Sequence, residues 1–142
     1  MAEGQAGAGA RIRSREDLQD YLDHFNNKRY AEQITYYAPD VIYKVGSLTL
    51  TAPQQIADFY AEFHQYSREF VRIGQFAMTG DVCACTMPSH FEPFRDYVKN
   101  GLSFKASDII DIVSFIFYTL KDGKIWRIRV ARYGGTAADF EG

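Results

Sequence analysis

The sequence predicts a single α+β domain, in which helices and one short hairpin come first and a long antiparallel meander follows. Of the 142 residues, 46% are hydrophobic, which is typical of a globular domain with one core. Apolar residues recur at helical spacing in the first half, whereas turns containing glycine separate β-rich runs in the second. We expect the domain to span residues 14–135, between a disordered lead-in over 1–13 and a flexible tail over 136–142.

Each predicted helix has a recognisable start or end. Ser14 and Asp17 have the spacing of a capping box with the shorter acid. Pro39 ends the second helix, because the residue before a proline is displaced from helical geometry, and Pro53 lies in the first turn of the third. The predicted helices span residues 15–26, 28–37 and, from residue 51 or 52, to about 66.

Turn residues divide the remainder into strands. Gly46 separates two short strands, and Asn100-Gly101 is a strong hairpin signal. Further turns are expected at Thr79-Gly80-Asp81 and Lys121-Asp122-Gly123. The predicted strands span residues 41–45, 47–51, 70–78, 82–97, a long segment ending at 120, and 124–133.

The segment over residues 106–118 contains a carboxyl group among large apolar side chains. It is rich in β-branched and aromatic residues, and successive strand residues point to opposite faces. One face carries Ile109, Asp111, Val113, Phe115 and Phe117. A carboxylate in such surroundings costs free energy unless it is paired, hydrogen-bonded or protonated. Asp111 is therefore a candidate functional residue.

Hairpin turns predict which residues lie opposite Asp111. A two-residue turn at Asn100-Gly101 places His90 opposite Asp111. A turn centred between Lys121 and Asp122 places Arg132 opposite Asp111 on the other side. Because opposed residues share a face, we expect a polar row of these three side chains.

Charge and cysteine usage exclude several classes of function. The net charge is −2 and there is no basic stripe, which argues against nucleic acid as a partner. No apolar run is long enough to span a membrane, and the start of the chain has no signal-peptide pattern. Cys83 and Cys85 are expected to be reduced thiols in a cytoplasmic protein. The three histidines lack metal-ligand spacing and no phosphate-binding loop appears, so we expect acid–base chemistry without metal or cofactor.

From Leu18 to Tyr133 the chain resembles the nuclear-transport-factor-2-like superfamily, which includes ketosteroid isomerase, scytalone dehydratase and SnoaL-type polyketide cyclases. Residues 106–112 look like the ketosteroid isomerase strand that carries a protonated oxyanion-hole acid, and Asp111 falls on that acid. Tyr21 falls on the oxyanion-hole tyrosine.

Other positions extend the resemblance. Tyr37 and Tyr60 fall on the two tyrosines that hydrogen-bond to the oxyanion-hole tyrosine. Val45 stands where ketosteroid isomerase has its general-base aspartate. The stretch Met87-Pro88-Ser89-His90 is similar to one that carries a catalytic histidine in scytalone dehydratase.

The resemblance implies a cone-shaped domain in which a curved antiparallel sheet and three helices enclose an aromatic-lined pocket. It implies a cofactor-independent isomerase, cyclase or dehydratase that acts on a small apolar oxygenated metabolite, such as a polyketide or terpenoid intermediate. We expect His90 to move the proton while Tyr21 and Asp111 stabilise an oxyanion. The expected substrate-binding residues are Tyr37, Val45, Tyr60, His64, Phe91, Phe115 and Arg132.

Several alternatives remain open from the residues alone. Asp111 is either protonated, as a hydrogen-bond donor, or ionised and paired with His90 or Arg132. The same acid–base pair could open an epoxide, and a non-catalytic ligand-binding or dimerisation module has the same fold. Apolar residues on both faces of the long strand favour a homodimer formed through the sheet.

Overall fold

The computed structural model describes residues 10–140 and shows an α+β fold of three helices and nine strands within that range. The helices are α1 (Arg15–Asn26), α2 (Tyr30–Gln33) and α3 (Pro53–Phe63), and short 3-10 turns span Ile34–Tyr36 and Ala137–Phe140. The strands are β1 (Tyr37–Val45), β2 (Leu48–Leu50), β3 (Ser67–Val71), β4 (Phe76–Thr79), β5 (Val82–Pro93), β6 (Tyr97–Lys99), β7 (Leu102–Phe104), β8 (Ile110–Lys121) and β9 (Lys124–Tyr133). None of the described helices is long and apolar enough to cross a membrane.

The first helix begins and ends as predicted. The Ser14 hydroxyl accepts a hydrogen bond from the Asp17 N–H, and the Asp17 carboxylate accepts one from the Arg13 N–H. The second helix starts later than predicted because Lys28 has a φ of 59°, which is incompatible with a helix. It also ends earlier, at Gln33, where the chain continues as a 3-10 turn. The third ends at Phe63, three residues early.

Seven strands form one mixed sheet in the order β2-β1-β9-β8-β5-β3, with β4 also paired to β5. Adjacent strands in this sheet are antiparallel, except that β1 and β9 run parallel to each other. The expectation of a wholly antiparallel sheet was therefore wrong at this one pair, since the sequence does not show which earlier strand the last strand joins. Strands β6 and β7 form a separate two-stranded ribbon.

Two long predicted strands are interrupted. The strand expected over residues 82–97 ends at Pro93. The next strand of the main sheet, β8, starts only at Ile110, after the β6–β7 ribbon and the left-handed Ser107 (φ 75°). Across this interruption the pairing between β5 and β8 keeps the register of the Asn100-Gly101 hairpin, so that His90 lies opposite Asp111 as predicted. The segment over 70–78 divides into β3 and β4, which both pair with β5.

The register of β9 differs from the prediction. The turn is formed by Asp122 and Gly123, both with positive φ, and a bulge at Trp126 inserts one extra residue into β9. Arg132 therefore lies opposite Ser114 and not Asp111. Because one residue of slip reverses the face of every side chain, Arg132 also lies on the other side of the sheet from Asp111.

The two faces of the sheet have different environments. The inner face of β8 is packed against α1 and the core, whereas the outer face is largely open to solvent. The inner residues of β8 are Ile110, Ile112, Ser114, Ile116, Tyr118 and Leu120. Asp111 and Phe115 lie on the outer face, contrary to their expected places in a pocket.

Both ends of the described chain contact the domain. Residues 1–9 and 141–142 lie outside the described range, but within the expected lead-in Ala10 and Ile12 are buried, and the Ile12 N–H donates to the Gly123 carbonyl at 2.8 Å. In the expected tail, the Phe140 ring packs against Phe115 and Tyr133. Packing contacts are therefore present at Ala10, Ile12 and Phe140, on either side of the expected span of 14–135.

Candidate active site

A cavity of about 510 Å³ lies between the helices, the inner face of the sheet and the β6–β7 ribbon. Its wall is mostly apolar and aromatic, with one buried carboxyl group and several hydroxyl groups. The polar side chains that line it are Tyr21, Tyr43, Lys44, Tyr60, Glu69, Ser89, Ser114, Tyr118 and Arg132. Val45 and Phe91 also line the cavity, where the resemblance had implied substrate-binding residues.

Glu69 is the buried carboxyl group. It lies on β3, and its Oε1 is 3.0 Å from His64 Nε2 at the end of α3. The other ring nitrogen of His64, Nδ1, is 2.6 Å from the Tyr30 hydroxyl. The side chains of His64 and Glu69 are 3% and 9% exposed, so their hydrogen bond is shielded from water. His64 was an expected substrate-binding residue, but the structure gives it contact with Glu69 and no place in the cavity lining.

The surroundings of Glu69 shift its pKa and place it near two hydrogen-bonded tyrosines. Burial raises its pKa above the ordinary value, and the hydrogen bond and charge of His64 lower it in part. Tyr43 and Tyr60 are hydrogen-bonded to each other at 2.8 Å. Burial raises the pKa of Tyr43 to about 12, with a further contribution from the Glu69 charge, so this phenol stays protonated at neutral pH.

Tyr21 belongs to a second hydroxyl cluster. Its hydroxyl lies 2.7 Å from that of Tyr37, which accepts a hydrogen bond from the Gln33 amide at 2.9 Å. Tyr37 thus makes the contact that the resemblance implied, but Tyr60 does not, since it pairs with Tyr43. Tyr118 lies beside Tyr21, with 6.4 Å between ring centroids. Burial raises the pKa of both Tyr21 and Tyr118, which keeps both hydroxyls as donors.

His90 and Asp111 meet on the outer face, on the opposite side of the sheet from Tyr21. His90 Nδ1 is 2.7 Å from Asp111 and Nε2 is 2.8 Å from Glu92. The Asp111 side chain is 73% exposed, so it is not the buried acid that the strand pattern predicted. Of the two partners considered for Asp111, the geometry gives His90 and not Arg132. The structure thus brings His90 and Asp111 together but places Tyr21 apart from them, in the cavity.

Arg132 and Lys44 are exposed side chains at the cavity mouth. The bulge in β9 is what brings Arg132 to this side of the sheet. Both cations could hold a polar end of a molecule whose apolar part lies inside. Among residues 10–140 no group of three or more His, Cys, Asp or Glu side chains has the arrangement of a metal site.

Sequence reasoning missed Glu69, Tyr43 and Tyr118. Glu69 lies on the inner face of β3, whose neighbouring Phe70 points outward and is 54% exposed. The predicted strand began at that phenylalanine and so left Glu69 outside the predicted strand. One signal was available: a strand beginning at Ser67 places Glu69 on the same face as the apolar Val71.

Comparison with solved structures finds the same fold in several proteins. A provisionally assigned polyketide cyclase from Silicibacter sp. TM1040 superposes with a TM-score of 0.71 at 17% identity, covering 87% of this chain and 92% of that one. A protein with a ketosteroid isomerase-like fold from Catenulispora acidiphila gives 0.68 at 12% identity, covering 92% and 95%. An epoxide hydrolase from M. tuberculosis, described as LEH-like, gives 0.64 at 12% identity, covering 82% and 79%.

Comparison with protein-family models and with curated proteins gives no match. At these identities the structural similarity concerns the fold and leaves the reaction open. The agreement extends over most of each chain, through the helices and the curled mixed sheet. This chain therefore has the cone-shaped α+β fold of the nuclear-transport-factor-2-like, SnoaL-like group.

Proposed function

We propose that the protein is a cofactor-independent acid–base enzyme that binds a small, largely apolar, oxygenated molecule in the cone cavity. The observation that carries this proposal is Glu69, a carboxyl group buried in an aromatic cavity and held by His64. A plain scaffold would gain nothing from a carboxyl group there, because burying it costs free energy. A general base, in contrast, benefits from a pKa raised toward neutrality.

The proposed reaction begins with proton removal next to a carbonyl group. The Glu69 carboxylate takes the proton from carbon, which leaves a carboxylic acid and an enolate. The enolate oxygen accepts hydrogen bonds from the neutral hydroxyls of Tyr21 and Tyr118, which stabilise the developing charge. In an isomerisation the proton then returns to another carbon. In a cyclisation the enolate carbon attacks a second carbonyl, and the alkoxide that forms takes the proton from Glu69.

The size and lining of the cavity support a substrate of one to three fused rings. Polyketide intermediates have this size and carry several carbonyl groups. The descriptions of the structural neighbours as polyketide cyclase and ketosteroid isomerase-like agree with enolate chemistry, at the level of analogy.

Hydrogen–deuterium exchange into a simple ketone tests the proposal. 2-Tetralone is a bicyclic ketone with acidic protons next to its carbonyl, and its deuterium uptake in D₂O can be followed by mass spectrometry. We expect the wild-type protein to accelerate the exchange, and Glu69→Gln to reduce the rate by about 10²–10⁴-fold. Glu92→Gln, on the outer face beside His90, is the matched control and should keep the wild-type rate.

Two results would contradict this assignment. If Glu69→Gln exchanges protons as fast as wild type, then Glu69 is not the base. If Glu92→Gln or His90→Gln abolishes exchange instead, the outer-face cluster carries the chemistry.

The outer face supports a second proposal, that the protein is a homodimer. A groove of about 450 Å³ runs along this face, and the rings of Phe115 and Phe117 are exposed beside it. Two copies related by a two-fold axis would bury these rings against each other.

A further inference from the structure

Gln33 combines complete burial with an incomplete set of hydrogen bonds. It is the last residue of α2, and its side chain has no exposure to solvent. Its Nε2 donates to the Tyr37 hydroxyl, but its Oε1 is the one buried side-chain nitrogen or oxygen in residues 10–140 without a hydrogen-bond partner. Such an atom costs free energy, and native proteins retain few of them.

The orientation of the amide is fixed by its surroundings. The Tyr37 hydroxyl is the polar group that the Gln33 side chain reaches. Turning the amide over would offer the carbonyl to Tyr37 and leave both hydrogens of the nitrogen without an acceptor. Buried N–H groups without partners are rarer in proteins than carbonyl oxygens without partners. The observed orientation is therefore the less costly of the two.

This orientation gives the tyrosine cluster a direction. The amide nitrogen can only donate, so the Tyr37 oxygen accepts from Gln33. The second hydrogen bond of Tyr37 is to Tyr21, and the hydrogen of the Tyr37 hydroxyl must be used there. Tyr21 then accepts from Tyr37, which leaves its own hydrogen available to the cavity that it lines.

We propose that Gln33 determines the hydrogen-bond polarity of the cavity, so that Tyr21 donates to its ligand and the ligand presents an acceptor oxygen at that point. The acceptor is a ketone, ester or enolate oxygen and not a hydroxyl or N–H donor. Gln33 touches no ligand and acts through Tyr37 and Tyr21, as a positioning residue. The inference rests on the proposed function only in placing the substrate in this cavity.

The test measures how much binding affinity a ligand loses when the Tyr21 hydroxyl is removed. The probes are 2-tetralone, which only accepts hydrogen bonds, and indole, which has one N–H donor. Dissociation constants are measured by calorimetry for each probe, with and without Tyr21→Phe, in three backgrounds: wild type, Gln33→Glu and Gln33→Met. Comparing the same substitution across backgrounds removes contributions from the other polar groups in the cavity.

In the wild-type background we expect Tyr21→Phe to weaken 2-tetralone by about 3- to 10-fold and to leave indole nearly unchanged. In Gln33→Glu at a pH that ionises the new carboxyl group, Tyr37 donates to the carboxylate, and Tyr21 donates to Tyr37. In this background, Tyr21→Phe should weaken the binding of indole rather than that of 2-tetralone. Methionine has a volume similar to that of glutamine but no polar group. In the Gln33→Met background, Tyr21→Phe should therefore weaken 2-tetralone binding less selectively than it does in wild type.

The inference is overturned if Tyr21→Phe weakens indole as much as 2-tetralone in the wild-type background, a result that needs no Gln33 variant to fold. It is also overturned if the selectivity is the same with and without Gln33. Because binding requires no turnover, these outcomes are independent of whether Glu69→Gln affects proton exchange.

Discussion

At the scale of single residues, Glu69 is subject to two opposing effects. Burial in an apolar cavity raises its pKa, while the hydrogen bond and charge of His64 lower it. The pH dependence of activity follows from this balance, because the base acts as the carboxylate. The acid limb of the exchange rate should lie above the ordinary pKa of glutamate. In His64→Gln it should move to still higher pH, since the lowering influence is lost, whereas in the surface control Glu92→Gln it should not move.

The same burial predicts an effect on stability. A pKa that is higher in the folded than in the unfolded state gives stability that is present at low pH and lost as the pH rises through the folded value. Glu69→Gln, which cannot ionise, avoids this loss. Its melting temperature should therefore exceed that of wild type at pH 8 and approach it near pH 4. Thermal unfolding at both pH values tests this prediction, and an advantage that grows toward acid pH would contradict it.

His90, in contrast to Glu69, lies on the surface, and its pKa is also raised. Its pKa is raised because Asp111 and Glu92 each accept a hydrogen bond from its ring, with Asp111 the larger influence. The imidazolium should thus persist above the ordinary pKa of histidine, and the contribution of this cluster to stability should be lost as the pH rises through the raised value. NMR titration of the ring should show that Asp111→Asn lowers the midpoint more than Glu92→Gln. An unchanged midpoint in both variants would show that the cluster is not formed in solution.

At the scale of elements, the β6–β7 ribbon closes the cavity through a contact with the β1–β2 turn. Gly46 has a φ of +57°, and a Cβ at this position would lie 2.0 Å from the Asn100 carbonyl oxygen. The adjacent Ser47 N–H donates to the same oxygen at 2.8 Å. Leu102 and Phe104 of β7 and Gly46 itself all line the cavity. The close approach of the two turns therefore shapes the cavity mouth.

The close approach of Gly46 to the Asn100 carbonyl predicts the effect of adding a methyl group at position 46. Gly46→Ala should lower the free energy of unfolding by more than about 1 kcal/mol, because it adds a steric clash to the left-handed strain, and it should weaken 2-tetralone binding. Gly80→Ala is a matched control, since Gly80 has a φ of +54° and nothing within 4 Å of its Cβ position. Chemical denaturation and calorimetry compare the two. If both variants lose the same unfolding free energy, then the clash with the Asn100 carbonyl is relieved at no cost, and the prediction is wrong.

At the scale of the whole molecule, the outer face of the sheet predicts the oligomeric state. Phe117 is 44% exposed there, whereas Val98 on the β6–β7 ribbon is 60% exposed away from the sheet. We expect a dimer in light scattering, and Phe117→Glu should raise its dissociation constant by at least about 10-fold. Val98→Glu should leave the dimer intact, and both variants should bind 2-tetralone. A wild-type protein that is monomeric at high concentration would contradict the homodimer.

The fold was predictable where local chemistry determines structure. The capping interaction of Ser14 fixes the start of α1, and the Asn100-Gly101 turn fixes the pairing of His90 with Asp111. The site was less predictable, because both faces of β8 are apolar and the pattern does not reveal which one is enclosed. Arg132 was misplaced by a bulge that no residue type announces. Glu69 was missed because an exposed phenylalanine precedes Val71 on the same short strand.

The extra residue at Trp126 has a consequence for how such a protein can change in evolution. If the bulge closed with every residue retained, each residue of β9 beyond Trp126 would exchange faces, since strand side chains alternate. Arg129 would then point toward the cavity and Arg132 toward the outer side. Deletion of Trp126 itself would instead make the pairing regular and keep Arg132 opposite Ser114. The positive charge at the cavity mouth therefore tolerates loss of this codon, whereas substitutions that draw Trp126 into the ladder would move positive charge between the cavity mouth and the outer face of the sheet.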